Sequence, residues 1–337
     1  MTGRLKKVLM AAGLSSGLIV LAMALLVVTF FLLTPPRPLE PQLDASVIED
    51  TTIFGGRERK WLLFEPDVPA TEPWLVLVLP GSQLTAELMR ALFAYGLDKR
   101  AARDGHFLLY PEGWKLEWNG CRDAPDNEAH NLPVDDVGFL TSLIAEIRAE
   151  KGIAAHDVFV IGLSGGGQMA YRLATERPKL FSAAAVLVAQ QPEPSNSRCR
   201  EPQGPVPMLI MNGTADPLIP YEGGIPSFYG LTPAGPVQSM EGTIRHWKGV
   251  NGLTGQPEVR RIDHGPDGTS SWAEHRAWED GTASLHAYII HGGGHTVPGG
   301  WQYAPAFVVG PVNRDIDAAE VIWSFFGAEA LKKDRSH

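Results

Sequence analysis

Two cysteines in 337 residues are too few for a disulfide-built scaffold, and no Cys/His spacing suggests a zinc site. Lysine and arginine total 29 against 38 acidic residues, a formal net charge of −9. No basic patch and no interleaving of basic with aromatic residues occurs, which argues against nucleic acid as a partner. No internal repeat or low-complexity tract is present, so solenoids and disordered arrays are set aside. Charge is also missing from the whole run Val8 to Leu33.

About 20 apolar residues cross a hydrocarbon core at 1.5 Å each, so this uncharged run is long enough to span. A cleavable signal has an apolar region of roughly 7–15 residues and a small-residue cleavage site. Here the run closes on Phe30-Phe31-Leu32-Leu33-Thr34-Pro35-Pro36. The expectation is a transmembrane signal anchor over 8–33, with a secreted protein if the segment is cut. Arg4, Lys6 and Lys7 precede it and only Arg37 follows closely. Residues 1–7 are therefore expected in the cytosol and the rest outside, periplasmic or extracellular. Proline-rich residues 34–44 read as a stiff spacer, and 45–337 as one α/β catalytic domain. In an oxidising compartment Cys121 and Cys199, both in polar Pro- and Gly-rich loops, are expected to bridge.

Within that domain, Thr51–Phe54 and Arg59–Phe64 read as an antiparallel pair turning at Gly55-Gly56. The continuous apolar run Trp74–Leu79 reads as a central strand covered on both faces. Ala86–Arg103 has helical spacing, Phe107–Tyr110 is the next strand, and a polar excursion runs to about Pro133. A helix opens at Asp135 and Asp136, read as capping and dipole residues. Further strands are predicted at Val158–Ile161, Ala183–Ala189, Pro207–Met211 and Leu285–Ile290, with helices after Ser164, over Met240–Val250 and over Ile316–Phe326. Alternating strands and helices predict a mostly parallel central sheet with helices on both faces, and reactive groups at the strands' carboxyl ends.

The chemistry is most legible at Gly162-Leu163-Ser164-Gly165-Gly166, directly after the apolar Val158–Ile161. This is the G-x-S-x-G nucleophile elbow in its required strand–turn–helix context. The same pattern at Gly13-Leu14-Ser15-Ser16-Gly17 lies inside the apolar run, lacks a preceding strand and carries no chemistry. A serine hydroxyl needs a base, and the base needs an acid to orient it; this fold supplies them in the chain order Ser, Asp or Glu, His. His295, in the glycine-rich loop Gly292–Gly300 after a strand, expected to be flexible, is the preferred base over His286 and His291. Asp216, again just beyond a buried strand, is the preferred acid over Glu222, Asp263 and Asp267. Backbone N–H groups of Gly165 and of either Ser82 or Gln83 are candidates for the oxyanion hole. Trp114, Trp118 and Asn119 are candidates for lining a substrate pocket. No metal or organic cofactor is called for.

With these motifs placed, the chain resembles the polyhydroxybutyrate depolymerase/feruloyl esterase-like group of secreted α/β-hydrolases, related to carbohydrate esterase family one. The resemblance runs from Trp61 to Phe326. It rests on Leu79-Pro80-Gly81-Ser82, Tyr110-Pro111-Glu112-Gly113, Trp118-Asn119, Val134–Leu140, the elbow, Asn212–Asp216 and Gly293–Gly299. It implies the α/β-hydrolase fold and a serine esterase using Ser164, Asp216 and His295. Two positions depart from the group: Pro80-Gly81-Ser82 stands where His-Gly-Cys is common, and Val297-Pro298-Gly299 where Trp-Pro-Gly is common. The expected activity is hydrolysis of short-chain, hydroxyalkanoate-oligomer or feruloyl/acetyl-polysaccharide esters. Two other readings stand beside it: a catalytically silent envelope binding protein, and a serine peptidase on the same triad.

Overall fold

The computed structural model describes residues 28–29, 32–124, 128–132, 134–227, 235–263 and 271–334. Most of the expected anchor, 8–33, lies outside the described residues, as do His264, Asp267 and the second G-x-S-x-G copy. Among the described residues no helix is long and apolar enough to cross a membrane.

Among the described residues ten strands form one sheet, in the order β1-β2-β4-β3-β5-β6-β7-β10-β9-β8. They are β1 Ala45–Phe54, β2 Arg57–Pro66, β3 Leu75–Leu79, β4 Phe107–Pro111, β5 Val158–Leu163, β6 Ala183–Leu187, β7 Met208–Gly213, β8 Glu258–Ile262, β9 Trp272–Trp278 and β10 Leu285–His291. β4, β3, β5, β6, β7 and β10 run parallel, and antiparallel strands close both edges. Every residue of β3, β5, β6 and β7 is buried. The apolar run needs no alternation because both faces are covered. Leu75, Leu77, Val158 and Val160 enter one core layer, beneath the helices Asp136–Lys151, Gly165–Glu176 and Met240–Asn251. Their chain neighbours Val76, Val78, Phe159 and Ile161 enter the opposite layer, beneath Ala86–Leu92, Gly96–Asp104 and Ala318–Asp334. This period-2 alternation is the pleat dividing one hydrophobic run between two cores.

Three expectations need correction. The helix predicted over Ala86–Arg103 is two helices, broken where Ala94 and Tyr95 take φ of 48° and 57°. The break redirects the second helix onto the final one, so closely that a Cβ on Gly96 would lie 2.9 Å from Ala319 Cβ. β8 and β9 were not foreseen, because they form an edge: β8 is almost wholly exposed and shows no apolar run. Finally, Asp135 does cap its helix, accepting from Gly138 N at 2.8 Å, but Asp136 does not. Asp136 is fully buried, paired with Arg59 at 2.6 Å and accepting the Asn119 amide at 2.7 Å. Burial raises its carboxyl pKa, and the Arg59 charge opposes that rise.

Candidate active site

Ser164 follows β5 with φ 52° and ψ −114°, a conformation an L-residue holds only under constraint. Its amide donates to Leu187 O at 2.9 Å, tying the turn to β6. Glycine is required on both sides: a Cβ on Gly162 would lie 2.4 Å from Gly166 O, and one on Gly166 2.2 Å from Leu79 O. The elbow is thus a turn in which strand and helix touch backbone to backbone, with the serine at the helix start.

Asp216 follows β7 and His295 follows β10, the two strands being adjacent and parallel. His295 Nδ1 and Asp216 Oδ2 are 2.7 Å apart. The other carboxylate oxygen of Asp216 accepts from Leu218 N at 2.8 Å and Ile219 N at 2.9 Å. Both side chains are buried, so the carboxylate is fixed by amides before it meets the imidazole. The glycine-rich loop is tied down by backbone hydrogen bonds. Gly292 N donates to Thr214 Oγ1, Gly294 N to Pro311 O and His295 N to Val309 O. Its glycines serve close approach instead: a Cβ on Gly294 would lie 2.2 Å from Val309 O.

The competing residues are engaged elsewhere. His291 stacks on Trp272 and lies 3.2 Å from Glu274; His286 lies between His275 and Glu279. Asp263 pairs with Arg261, and Glu222 is exposed on the surface.

On the other side of the elbow, the loop after β3 brings Ser82 N within 2.9 Å of where a Cβ on Gly165 would sit. Gln83 N instead donates to Leu116 O at 2.9 Å, which removes Gln83 from the oxyanion candidates and leaves Ser82. The side chains of both reach Glu117: Ser82 Oγ to Oε2 at 2.8 Å, Gln83 Nε2 to Oε1 at 2.9 Å. Glu117 had no place in the sequence reading. Its signal would have been a lone carboxylate among the aromatics of the excursion.

Two of the three proposed pocket residues brace that excursion. Trp118 is buried and donates from Nε1 to Pro80 O at 2.9 Å. Asn119 donates to Asp136 and Val134 O and accepts from Arg172 Nη1 at 2.7 Å. Trp114 is half-buried, with the Arg57 guanidinium 5.2 Å and Lys115 Nζ 4.8 Å from its ring centre. Cys121 and Cys199 are bonded, their Cα atoms 4.9 Å apart, which ties the excursion to the segment after β6. Among the described residues no group of His, Cys, Asp and Glu is arranged to hold a metal.

A strained serine at a strand–helix elbow in a sheet of this order defines an α/β-hydrolase, and comparison with known proteins narrows the class. Over 302 residues the chain is 32% identical to the putative esterase NocK of Nocardia uniformis subsp. tsuyamanensis, covering 86% of this chain and 85% of that one. The chain therefore belongs to this esterase family and is a carboxylic ester hydrolase. A probable feruloyl esterase C of Aspergillus niger is 29% identical over 131 residues, which is 39% of this chain and less than half, 43%, of that one. An acetyl xylan esterase from Aspergillus awamori shares the fold with TM-score 0.54 at 17% identity, over 84% of this chain and 99% of that one. No family model matches.

Proposed function

We propose that Ser164, His295 and Asp216 act as nucleophile, base and orienting acid of a serine esterase. Asp216 holds Nδ1 of His295, so Nε2 is the nitrogen that takes the serine proton as Oγ attacks the ester carbonyl. The N–H groups of Gly165 and Ser82 stabilise the negative oxygen. The alcohol leaves with the proton from His295, and water activated by the same imidazole releases the acid from Ser164. Among the described residues Ser164 Oγ makes no hydrogen bond; such contacts commonly close only when substrate is bound. The observations that support the reading are the buried 2.7 Å Asp216–His295 pair beyond β7 and β10 and the strained serine turn beyond β5 of the same sheet.

The substrates are short-chain esters, hydroxyalkanoate oligomers, or feruloyl or acetyl esters of polysaccharide. In this reading residues 45–337 form the catalytic domain, carried outside the cytoplasmic membrane on the spacer 34–44 by the anchor 8–33. The Cys121–Cys199 bridge supports an oxidising compartment. Labelling with a fluorophosphonate probe tests the chemistry: an adduct on Ser164, lost in His295→Ala, is expected. Folded protein that takes no label would favour a silent binding module instead. Assays of 4-nitrophenyl esters beside peptide amides separate esterase from peptidase.

A further inference from the structure

The strand expected over Ala183–Ala189 stops at Leu187, because the next residue leaves the sheet: Val188 takes φ 45°. A β-branched side chain in the left-handed region is a true outlier, since its γ-carbons crowd the backbone there. Bonds on both sides impose the turn. Leu187 O accepts the Ser164 amide at 2.9 Å, and Val188 N donates to Met211 O at 2.8 Å, so the end of β6 is fastened to the elbow and to β7. Just beyond, Ala189 O accepts from the Tyr171 hydroxyl at 3.2 Å and Gln190 O from Gln168 Nε2 at 2.7 Å, both donors lying on the elbow helix. A Cβ on Gly167 would lie 2.7 Å from Ala189 Cβ, so segment and helix are already in close contact.

Strain of this kind costs stability and persists only where the surroundings over-determine the backbone, most often at active sites. The packing around Val188 shows what the turn holds in place. The residue is 2% exposed and belongs to the same core layer as Leu163, just before the nucleophile, and Val297, two residues after the base. With Gly213, Gly294 and Thr296 it lines a crevice too narrow for a water molecule. Gly294 and Thr296 flank His295, and Gly213 stands three residues before Asp216. Val188 therefore bridges the serine elbow and the loop that carries the imidazole.

We propose that Val188 is a positioning residue for the reaction: its isopropyl group, held in the core by the left-handed turn, sets the separation of the Ser164 elbow from the His295 loop. The inference rests on the esterase reading above and adds to it a residue that touches neither substrate nor transferred proton. A displacement of roughly 1 Å can cost about a hundredfold in rate, so a spacer of one side chain is enough to matter. Glycine would take the same φ freely but would leave the crevice unfilled.

Three full-length variants separate positioning from packing. Val188→Gly removes strain and spacer together, and Val188→Ala keeps the strain and removes the γ-carbons. Val188→Thr keeps the shape while burying a hydroxyl. With 4-nitrophenyl butyrate, kcat should fall about tenfold to a hundredfold in Val188→Gly and Val188→Ala. KM should change little, and fluorophosphonate labelling of Ser164 should slow in step with kcat. Val188→Thr should lose urea stability to its buried hydroxyl and yet keep kcat within about threefold of wild type. If Val188→Gly does not fold, Val188→Ala, which retains a Cβ, decides by the same readouts. Wild-type kcat in either folded variant overturns the proposal. So does a kcat that follows the urea midpoint across the set, the behaviour of a merely structural residue. Neither result touches the esterase reading, which fails, and this inference with it, if the wild type takes no label and cleaves no ester.

Discussion

The two sides of the elbow are built on different principles. On the histidine side, Asp216 and His295 leave adjacent parallel strands, and every link from backbone amide to carboxylate to imidazole is made and buried. On the loop side, the residues after β3 are held by side chains from a long excursion: Glu117 on Ser82 and Gln83, Trp118 on Pro80, Asn119 on Asp136. The first arrangement fixes one reactive geometry. The second leaves Arg122 Nε and Nη1 and Gln168 Oε1 buried without a hydrogen-bond partner among the described residues, so its bonding is less complete. The difference is between groups placed by the sheet and a loop held by what is draped over it.

The largest effect should come from the histidine side. Ser164→Ala should lower kcat by at least about 10^4-fold, and Asp216→Asn by roughly 10^4-fold through the wrong imidazole tautomer. Both should retain wild-type thermal unfolding, and steady-state hydrolysis of 4-nitrophenyl butyrate is the measurement. An Asp216→Asn enzyme within tenfold of wild type would break the comparison, since the most completely bonded element would then be dispensable.

Stability effects should dominate on the loop side. Asp136→Ala strands the buried Arg59 guanidinium and releases the Asn119 amide, an expected loss of about 3–5 kcal/mol in urea unfolding. Removing the Cys121–Cys199 bridge, whose partners are 78 residues apart in sequence, should cost about 2–4 kcal/mol. Glu117→Ala loosens the Ser82 loop without deleting a donor. Its kcat should fall about tenfold, less than the roughly 10^2–10^3 lost with an oxyanion donor itself. A loss in Glu117→Ala as large as in Ser164→Ala would put the loop among the chemical elements after all.

The same contrast explains what could be read from residues alone. β3, β5, β6 and β7 as far as Met211 lack polar side chains because they are buried on both faces, so their places and the turns after them are visible. Ser164 directly follows β5, Asp216 follows β7 and His295 follows β10, each within a few residues of a strand end, and short-range pattern was enough to nominate them. Nothing local marks Glu117 as the holder of Ser82, or Asp136 as the partner of an arginine 77 residues away. Those pairs are decided by tertiary packing of a polar segment, which has no hydrophobic period to follow. Trp118 and Asn119 attract notice because aromatics in a polar loop are unusual; the bracing bonds they make to Pro80 and Val134 carry no local signal. The edge strand β8, exposed along its length, was silent for the same reason.

The smallest expected effect concerns acid, and it sharpens the comparison by probing the strands behind the histidine side. His275 on β9 stacks on Tyr288 of β10 and lies 3.2 Å from His286. Burial, with His286 and Arg260 adding to it and Glu258 and Glu279 opposing, lowers its pKa to about 4. His106, stacked on Trp74, is lowered to about 4 by burial as well. Both are held neutral in the folded protein, whereas an unfolded histidine titrates near about 6.5. As pH falls below about 6.5 the unfolded chain binds protons that the folded chain refuses. Their contribution to stability is therefore complete above that value, declines down to about pH 4, and falls no further below it. The urea midpoint should drop between pH 7.5 and pH 5 in the wild type, and drop less in His275→Gln. If the two proteins lose the same amount, the β9–β10 histidines are not acid-sensitive, and the sheet behind His295 is as indifferent to pH as its buried centre.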